Sequence, residues 1–365
     1  MKRIALLNFG GIGDEILFSP VIHAVHQAYP EAELTLILEH RSRSVHELLP
    51  EVSHLETVDL GTTSRGKLFG VLLKRLRAGR FDAVISSGSS PFIPVLLSCS
   101  GIRVRVGFET GAISRFLLTG AAPLDRKTYA GDMYYSLAKT FLSVMQKDPL
   151  DSGQAIPKLS VEQEAQERAQ LILSEFEKTA PRQRILIHPG VSHMSVVKNI
   201  LKAWPLEHWQ ALITELTSRY PDAHLYLMGG PDDAEVINTL EAHRRTLPQA
   251  LASRVFNFYG KTSSLKDLAA FISVADVLIS VDSAPMHLAI GLGTPVAAIF
   301  SPTDPQKLVP QSPQVEIAFR EDLNCRPCLW DVRKVSCDNP VCLDVPVELV
   351  LTKVDKLLRQ KISAF

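Results

Sequence analysis

The chain has 365 residues, with 39 Lys and Arg against 39 Asp and Glu, so its formal net charge is zero. Hydrophobic residues make up 46% and charged residues 21%, which excludes disorder, collagen and coiled coil and fits two folded domains at this length. Zero net charge argues against a nucleic-acid binder driven by bulk charge, and no apolar run reaches the roughly 18–20 residues of a membrane span.

In chain order, MKRIALLNFGGIGDEILF has the outline of a signal peptide, but Asp14 and Glu15 interrupt its apolar stretch. No small-residue cleavage pattern follows, so it reads as a mature cytoplasmic start. Residues 3–9 are a short apolar strand running into Gly10, Gly11 and Gly13. A helix is predicted over 14–29, ended by Pro30, and a strand over 33–39. Strand, helix and strand make a βαβ unit and therefore a parallel sheet. Further strands are predicted at 81–86 and 104–108. Residues 148–158 (DPLDSGQAIPK) have linker composition, and 161–178 favour helix. The pattern then restarts. Strands are predicted at 184–188, 224–228, 255–259, 277–281 and 295–300, with helices at 206–220, 265–273 and 285–291. The chain thus reads as two successive α/β halves.

In open α/β sheets ligands sit beyond the carboxyl ends of the strands, so the loops there are the first places to look for a site. The first is GGIGDEILFSP. Its glycines allow a sharp turn, and Asp14 stands at a helix start, as a cap suited to the dipole or as a general base. The dinucleotide fingerprint fails, because Ile16 occupies the third glycine position. The second is VDSAPMHLAIGLGTPVAAIFSPTDP, in which Asp282, Ser283, Ala284 and Pro285 open a helix whose amides suit a phosphate. His287 lies on its first turn. The third, KAWP, sets Lys202 before another helix, as a solvated surface group or a pyrophosphate contact. The fourth is GGPDD, where Asp232 or Asp233 is either a cap or a partner for ribose hydroxyls.

Taken together these stretches resemble glycosyltransferase family 9, the ADP-heptose:lipopolysaccharide heptosyltransferases. The resemblance rests on GDEILFSPVIHAV, KAWP, GGPDD, DSAPMHLAIGLGTPVAAIFSPTDP and CRPC…C…CLDVP, and spans nearly the whole chain. It implies a GT-B fold: α/β, two Rossmann-like domains with parallel sheets facing a central cleft. The domains would be residues 1–165, binding the acceptor, and 166–365, binding the nucleotide-sugar. It implies inverting catalysis that needs no metal and no cofactor, with an ADP-sugar as donor. Asp14 would deprotonate the acceptor hydroxyl and Lys202 would neutralise the donor phosphates. Gly13, Asp232, Asp233, Asp282, Ser283, Ala284 and His287 would contact or frame the donor. Family members commonly read DSGPMH, so Ala284 is a departure that adds a methyl beside the phosphate. The stretch 191–201 looks longer than in the family.

Charge is unevenly spread. Residues 60–130 hold eleven basic groups and three acids, a local excess of 11 − 3 = 8. Within them GKLFGVLLKRLRAGR sets Arg65, Lys67, Lys74 and Arg75 beside apolar positions. It reads as a core-facing amphipathic helix or as a dock for an anionic glycolipid acceptor at the inner membrane surface. Cys325 and Cys328 have zinc-ligand spacing; Cys337 and Cys342 are looser, and free thiols in a C-terminal loop are the competing reading. Two other functions fit parts of the pattern. A nucleotide-sugar epimerase would need further acid/base residues, and a non-catalytic binding module would not need Asp14 and Lys202 intact.

Overall fold

In a computed structural model of the chain, residues 1–61, 63–148, 153–177, 180–197, 200–328 and 337–362 are described. The chain divides into two units, Met1–Ser160 and Val161–Phe365. The division precedes a helix at Gln163–Phe176, whereas the boundary expected at 165/166 would cut it.

The first unit carries strands β1 (Arg3–Leu7), β2 (Glu33–Glu39), β3 (His54–Val58), β4 (Ala83–Ser86), β5 (Val104–Phe108) and β6 (Gly120–Ala122). Its helices are α1 (Ile12–Ala28), α2 (Arg65–Ala78), α3 (Phe92–Cys99), α4 (Ala112–Leu117) and α5 (Ala130–Val144). All pairings are parallel, in the order β3-β2-β1-β4-β5-β6. The β1–β4 neighbourhood is therefore the point where strand order reverses, the usual ligand position in such sheets. Helices α1 and α5 pack together, and α3 touches both α2 and α4. Leu72 and Leu76 of α2 join Leu96 and Leu97 of α3 over Ala5, Leu7, Ile37 and Val84 of the strands. Backbone bonds from Lys158 to Ser19 Oγ and from Ser160 to the Leu48 carbonyl hold the end of this unit. The predicted linker at 148–158 lies partly outside the described residues, at 149–152.

The second unit repeats the plan. Its strands are β7 (Gln183–His188), β8 (Ala223–Leu227), β9 (Val255–Asn257), β10 (Val277–Val281), β11 (Val296–Ile299) and β12 (Val315–Ala318). Its helices are α6 (Gln163–Phe176), α7 (His193–Val197), α8 (Leu206–Arg219), α9 (Ala234–Thr246), α10 (Gln249–Ala252), α11 (Leu265–Ser273), α12 (Ala284–Leu292), α13 (Pro305–Leu308) and α14 (Val347–Ile362). The parallel order β12-β11-β10-β7-β8-β9 is that of the first sheet, with its reversal at β7–β10. Trp209, Leu212 and Leu216 of α8 and Val350, Leu351 and Val354 of α14 are buried against Ile187, Leu225 and Ile279 of this sheet.

The central strands match the sequence reading. The strands it did not include, β3, β6 and β12, are all edges. Helix α1 starts earlier than predicted, with Gly11 as its cap, so Asp14 is the third helical residue rather than the cap itself.

Candidate active site

At the mouth of the first sheet, Asp14 is exposed and its Oδ2 accepts the Gly11 N–H at 2.9 Å. The side chain thus satisfies one of the amides a helix start leaves open. Its other oxygen lies 3.5 Å from the Tyr134 hydroxyl on α5, which points its O–H at the carboxylate. Burial, then the charges of Asp14 and Glu15, push the Tyr134 hydroxyl well above its ordinary pKa, so it stays a donor. Gly10 is required for this geometry: a Cβ there would overlap the Asp14 Cβ.

Beneath Asp14 lies a second carboxyl that the sequence reading did not single out. Glu15 is 1% exposed and accepts from Asn8 Nδ2 at 3.1 Å and from the Gly10 N–H at 3.3 Å. Burial drives its pKa well up, with the nearby Asp14 and Glu39 adding and its two hydrogen bonds opposing. Asn8 in turn accepts from the Ser87 hydroxyl, which joins the ends of β1 and β4 at the reversal point.

In the second unit, β10 delivers Asp282 to the start of α12. Lys202 Nζ stands 2.6 Å from Asp282 Oδ2 and 3.5 Å from the Asp282 carbonyl. The Thr303 hydroxyl, from the loop after β11, donates to the same carboxylate oxygen at 2.7 Å. Burial alone would lift the Asp282 pKa; Lys202 by charge and hydrogen bond, with His287 and Thr303, reverses this and holds it low. Ser283 caps α12 in extended conformation, and Ser283 and Ala284 are half-buried at its open end. The structure therefore brings Lys202, Asp282, Ser283, Ala284 and His287 together. His287 is buried.

Next along the same sheet edge, Asp233 is buried after β8. Its Oδ2 accepts the Gly230 N–H at 2.8 Å and lies 3.7 Å from His188 Nε2. Burial holds His188 low against the pull of Asp233, and burial lifts Asp233 against His188 and the Gly230 amide. A Cβ on Gly190 would overlap the Asp233 carboxylate, which explains the glycine at that position. Asp232, by contrast, is exposed. Gly13 is half-buried on the first turn of α1. Residues that reasoning from sequence missed are Glu15, Asn8, Tyr134, His188 and Thr303. Thr303 lies within the SPTDP stretch, but nothing in the sequence ties it to Asp282.

On α2, Lys67 and Lys74 are exposed, while Arg75 is engaged: it donates to the Thr57 carbonyl at 2.6 Å and lies 3.6 Å from Glu56. The Arg65 side chain lies outside the described residues. The four C-terminal cysteines are free. Burial, then the neighbouring thiols, raises the pKa of Cys328 and Cys342. Among the described residues no group of three or more His, Cys, Asp or Glu is placed to hold a metal ion.

Residues 70–337 match the model of glycosyltransferase family 9 (heptosyltransferase). The chain belongs to this family. Asp14 lies ahead of the matched stretch. Among curated relatives, lipopolysaccharide heptosyltransferase 3 of Escherichia coli is 26% identical over 307 residues, covering 80% of this chain and 81% of the relative. A family 9 glycosyl transferase structure from Veillonella parvula is 22% identical, covers 98% of this chain and 97% of its own, and has a TM-score of 0.75. The E. coli ADP-heptose lps heptosyltransferase II structure is 21% identical, covers 99% of each chain and has a TM-score of 0.72. Both units are thus Rossmann-like halves of a GT-B-like glycosyltransferase fold. Among the described residues no helix is long and apolar enough to cross a membrane.

Proposed function

We propose that the chain transfers a heptose, or a similar sugar, from ADP-heptose to a lipopolysaccharide core acceptor, with inversion and without a metal. The support is the family, the relatives named for heptose transfer to lipopolysaccharide, and one observation above others: a lysine ammonium docked at the start of α12. In the proposed reaction Asp14 takes the proton of the acceptor hydroxyl as its oxygen bonds to the anomeric carbon. The bond from that carbon to the diphosphate oxygen breaks, and ADP leaves with the electron pair. Lys202 and the α12 amides stabilise the charge that develops on the diphosphate. Asp282 holds Lys202 there and Thr303 fixes Asp282. Asp232 is a candidate for the ribose, and Asp233 shapes the turn that presents it. The acceptor would be a phosphate-bearing glycolipid reached from the cytoplasmic face of the inner membrane, with Lys67 and Lys74 among its contacts.

Calorimetric titration with ADP, UDP and GDP tests the donor half. Selective ADP binding is expected. Removing Lys202 alone would strand a buried carboxylate at a cost of about 3–5 kcal/mol, so the informative variant pairs Lys202→Ala with Asp282→Asn, compared with Asp282→Asn alone. The double variant should bind ADP at least tenfold more weakly than the single one. Equal affinity would remove Lys202 from the phosphate site; preference for UDP or GDP would overturn the donor.

A further inference from the structure

Among the described residues, four of the five exposed large apolar side chains of the first unit, all but Ile156, lie on α2, α3 and α4. Phe116 is 88% exposed and Ile113 55%, both on α4; Val71 on α2 is 41% and Val95 on α3 is 38%. Single exposed apolar residues are ordinary, but four on three successively touching helices need a reason. The layer is well built underneath. The Phe69 and Phe92 rings meet edge to face at 5.3 Å and join α2 to α3. Ser114 is buried beneath α4; its hydroxyl donates to the Gly111 carbonyl at 2.7 Å and accepts the Thr110 N–H at 2.8 Å. Phe116 is therefore presented by an anchored turn, and Ile113, three residues earlier, shares its face.

The charge around these residues is one-sided. Of the three acids in residues 60–130, Asp82 accepts the Lys2 and Arg3 amides and Glu109 is paired with Arg115, against eleven basic groups. On α2, Lys67, Val71 and Lys74 recur at i, i+4 and i+7, one stripe of cation, apolar residue and cation. Neither lysine pairs with a carboxylate among the described residues. A basic stripe interleaved with exposed apolar side chains is the chemistry of an anionic lipid surface: ammonium groups meet headgroups while the apolar tips enter the acyl boundary. A second copy of this chain is a poorer occupant, since a two-fold contact through this face would set like charge against like charge.

We propose that the outer face of α2, α3 and α4 docks on the anionic surface of a phospholipid bilayer, with Phe116 and Ile113 as the inserted residues. The inference deepens the proposed function, because a lipid-borne acceptor lies in such a surface, but its evidence is separate from the donor site. The test is co-sedimentation of the full chain with vesicles of phosphatidylcholine alone and of phosphatidylcholine mixed with phosphatidylglycerol. Binding is expected only to the mixed vesicles and should weaken as salt rises. Phe116→Ser with Ile113→Ser should lower partitioning at least tenfold, and Lys67→Glu with Lys74→Glu should lower it and flatten the salt dependence. Phe116→Trp provides a second readout: the emission of the introduced indole should shift to the blue on mixed vesicles and be quenched by brominated acyl chains. Unchanged partitioning of the serine variant, or indole emission in Phe116→Trp that ignores brominated lipid, would overturn the proposal. So would a wild-type dimer that the serine variant converts to monomer, which would assign the face to a second copy. ADP titration of the serine variant keeps the two readings apart: it should match wild type, and loss of ADP binding in every protein would count against the transferase reading alone.

Discussion

Asp14 and Glu15 are adjacent carboxyls with opposite surroundings. The first is exposed and held by an amide and a phenol; the second is buried, with an asparagine and an amide for company. Burial raises the Glu15 pKa above its ordinary 4.5, so the folded chain keeps a proton that the unfolded chain releases. Its contribution to stability is complete below that ordinary value and is lost as pH rises through the raised one. Glu15→Gln, which cannot ionise, should therefore raise the melting temperature at pH 8, with the gap closing toward pH 4. Thermal melts of both proteins across that range check it, and a gap independent of pH would contradict a buried neutral Glu15. The sequence exposes Asp14 through its place in the GD motif. It cannot expose Tyr134, which meets Asp14 from 120 residues away, nor tell which of two neighbouring carboxyls turns inward.

Among the elements, each half places a glycine against the aspartate that pins its loop: Gly10 against Asp14 and Gly190 against Asp233. Gly10 is fixed on both sides, its N–H on Glu15 and its carbonyl on the Ser42 hydroxyl at 2.9 Å, so it has little room to yield. Gly10→Ala should cost about 1–3 kcal/mol in urea unfolding and disturb Asp14 with it. Gly70, inside α2 with nothing near its missing Cβ, should respond the other way, with Gly70→Ala adding about 0.5–1 kcal/mol. Similar effects at the two positions would contradict this contrast. The same scale shows what the sequence hides. Central strands such as ILIH and VLISV are apolar on both faces and stand out. The edge strands HLETV and VEIA are only partly buried and GAA is three residues long, so none carries such a run and periodicity passes over them. The α1 cap is hard to read because Gly11, not the better-known capping aspartate, begins the helix.

For the whole molecule, the two units share one strand order and put their unusual residues at the same place, beyond the carboxyl ends beside the strand-order reversal. That repetition is readable from the alternation of apolar runs and helices, and the family from a few short motifs. Polar networks such as Lys202–Asp282–Thr303 are not, since their bonded partners are 80 and 21 residues apart. In the proposed function Asp14 is the base of a heptosyl transfer. The most direct test is the rate of heptose transfer from ADP-heptose to a lipopolysaccharide core acceptor by wild type and by Asp14→Asn. The asparagine oxygen can still accept the Gly11 amide, so the fold and ADP affinity should persist while turnover falls by about 10²-fold or more. Asp14→Asn that transfers heptose at the wild-type rate would contradict it.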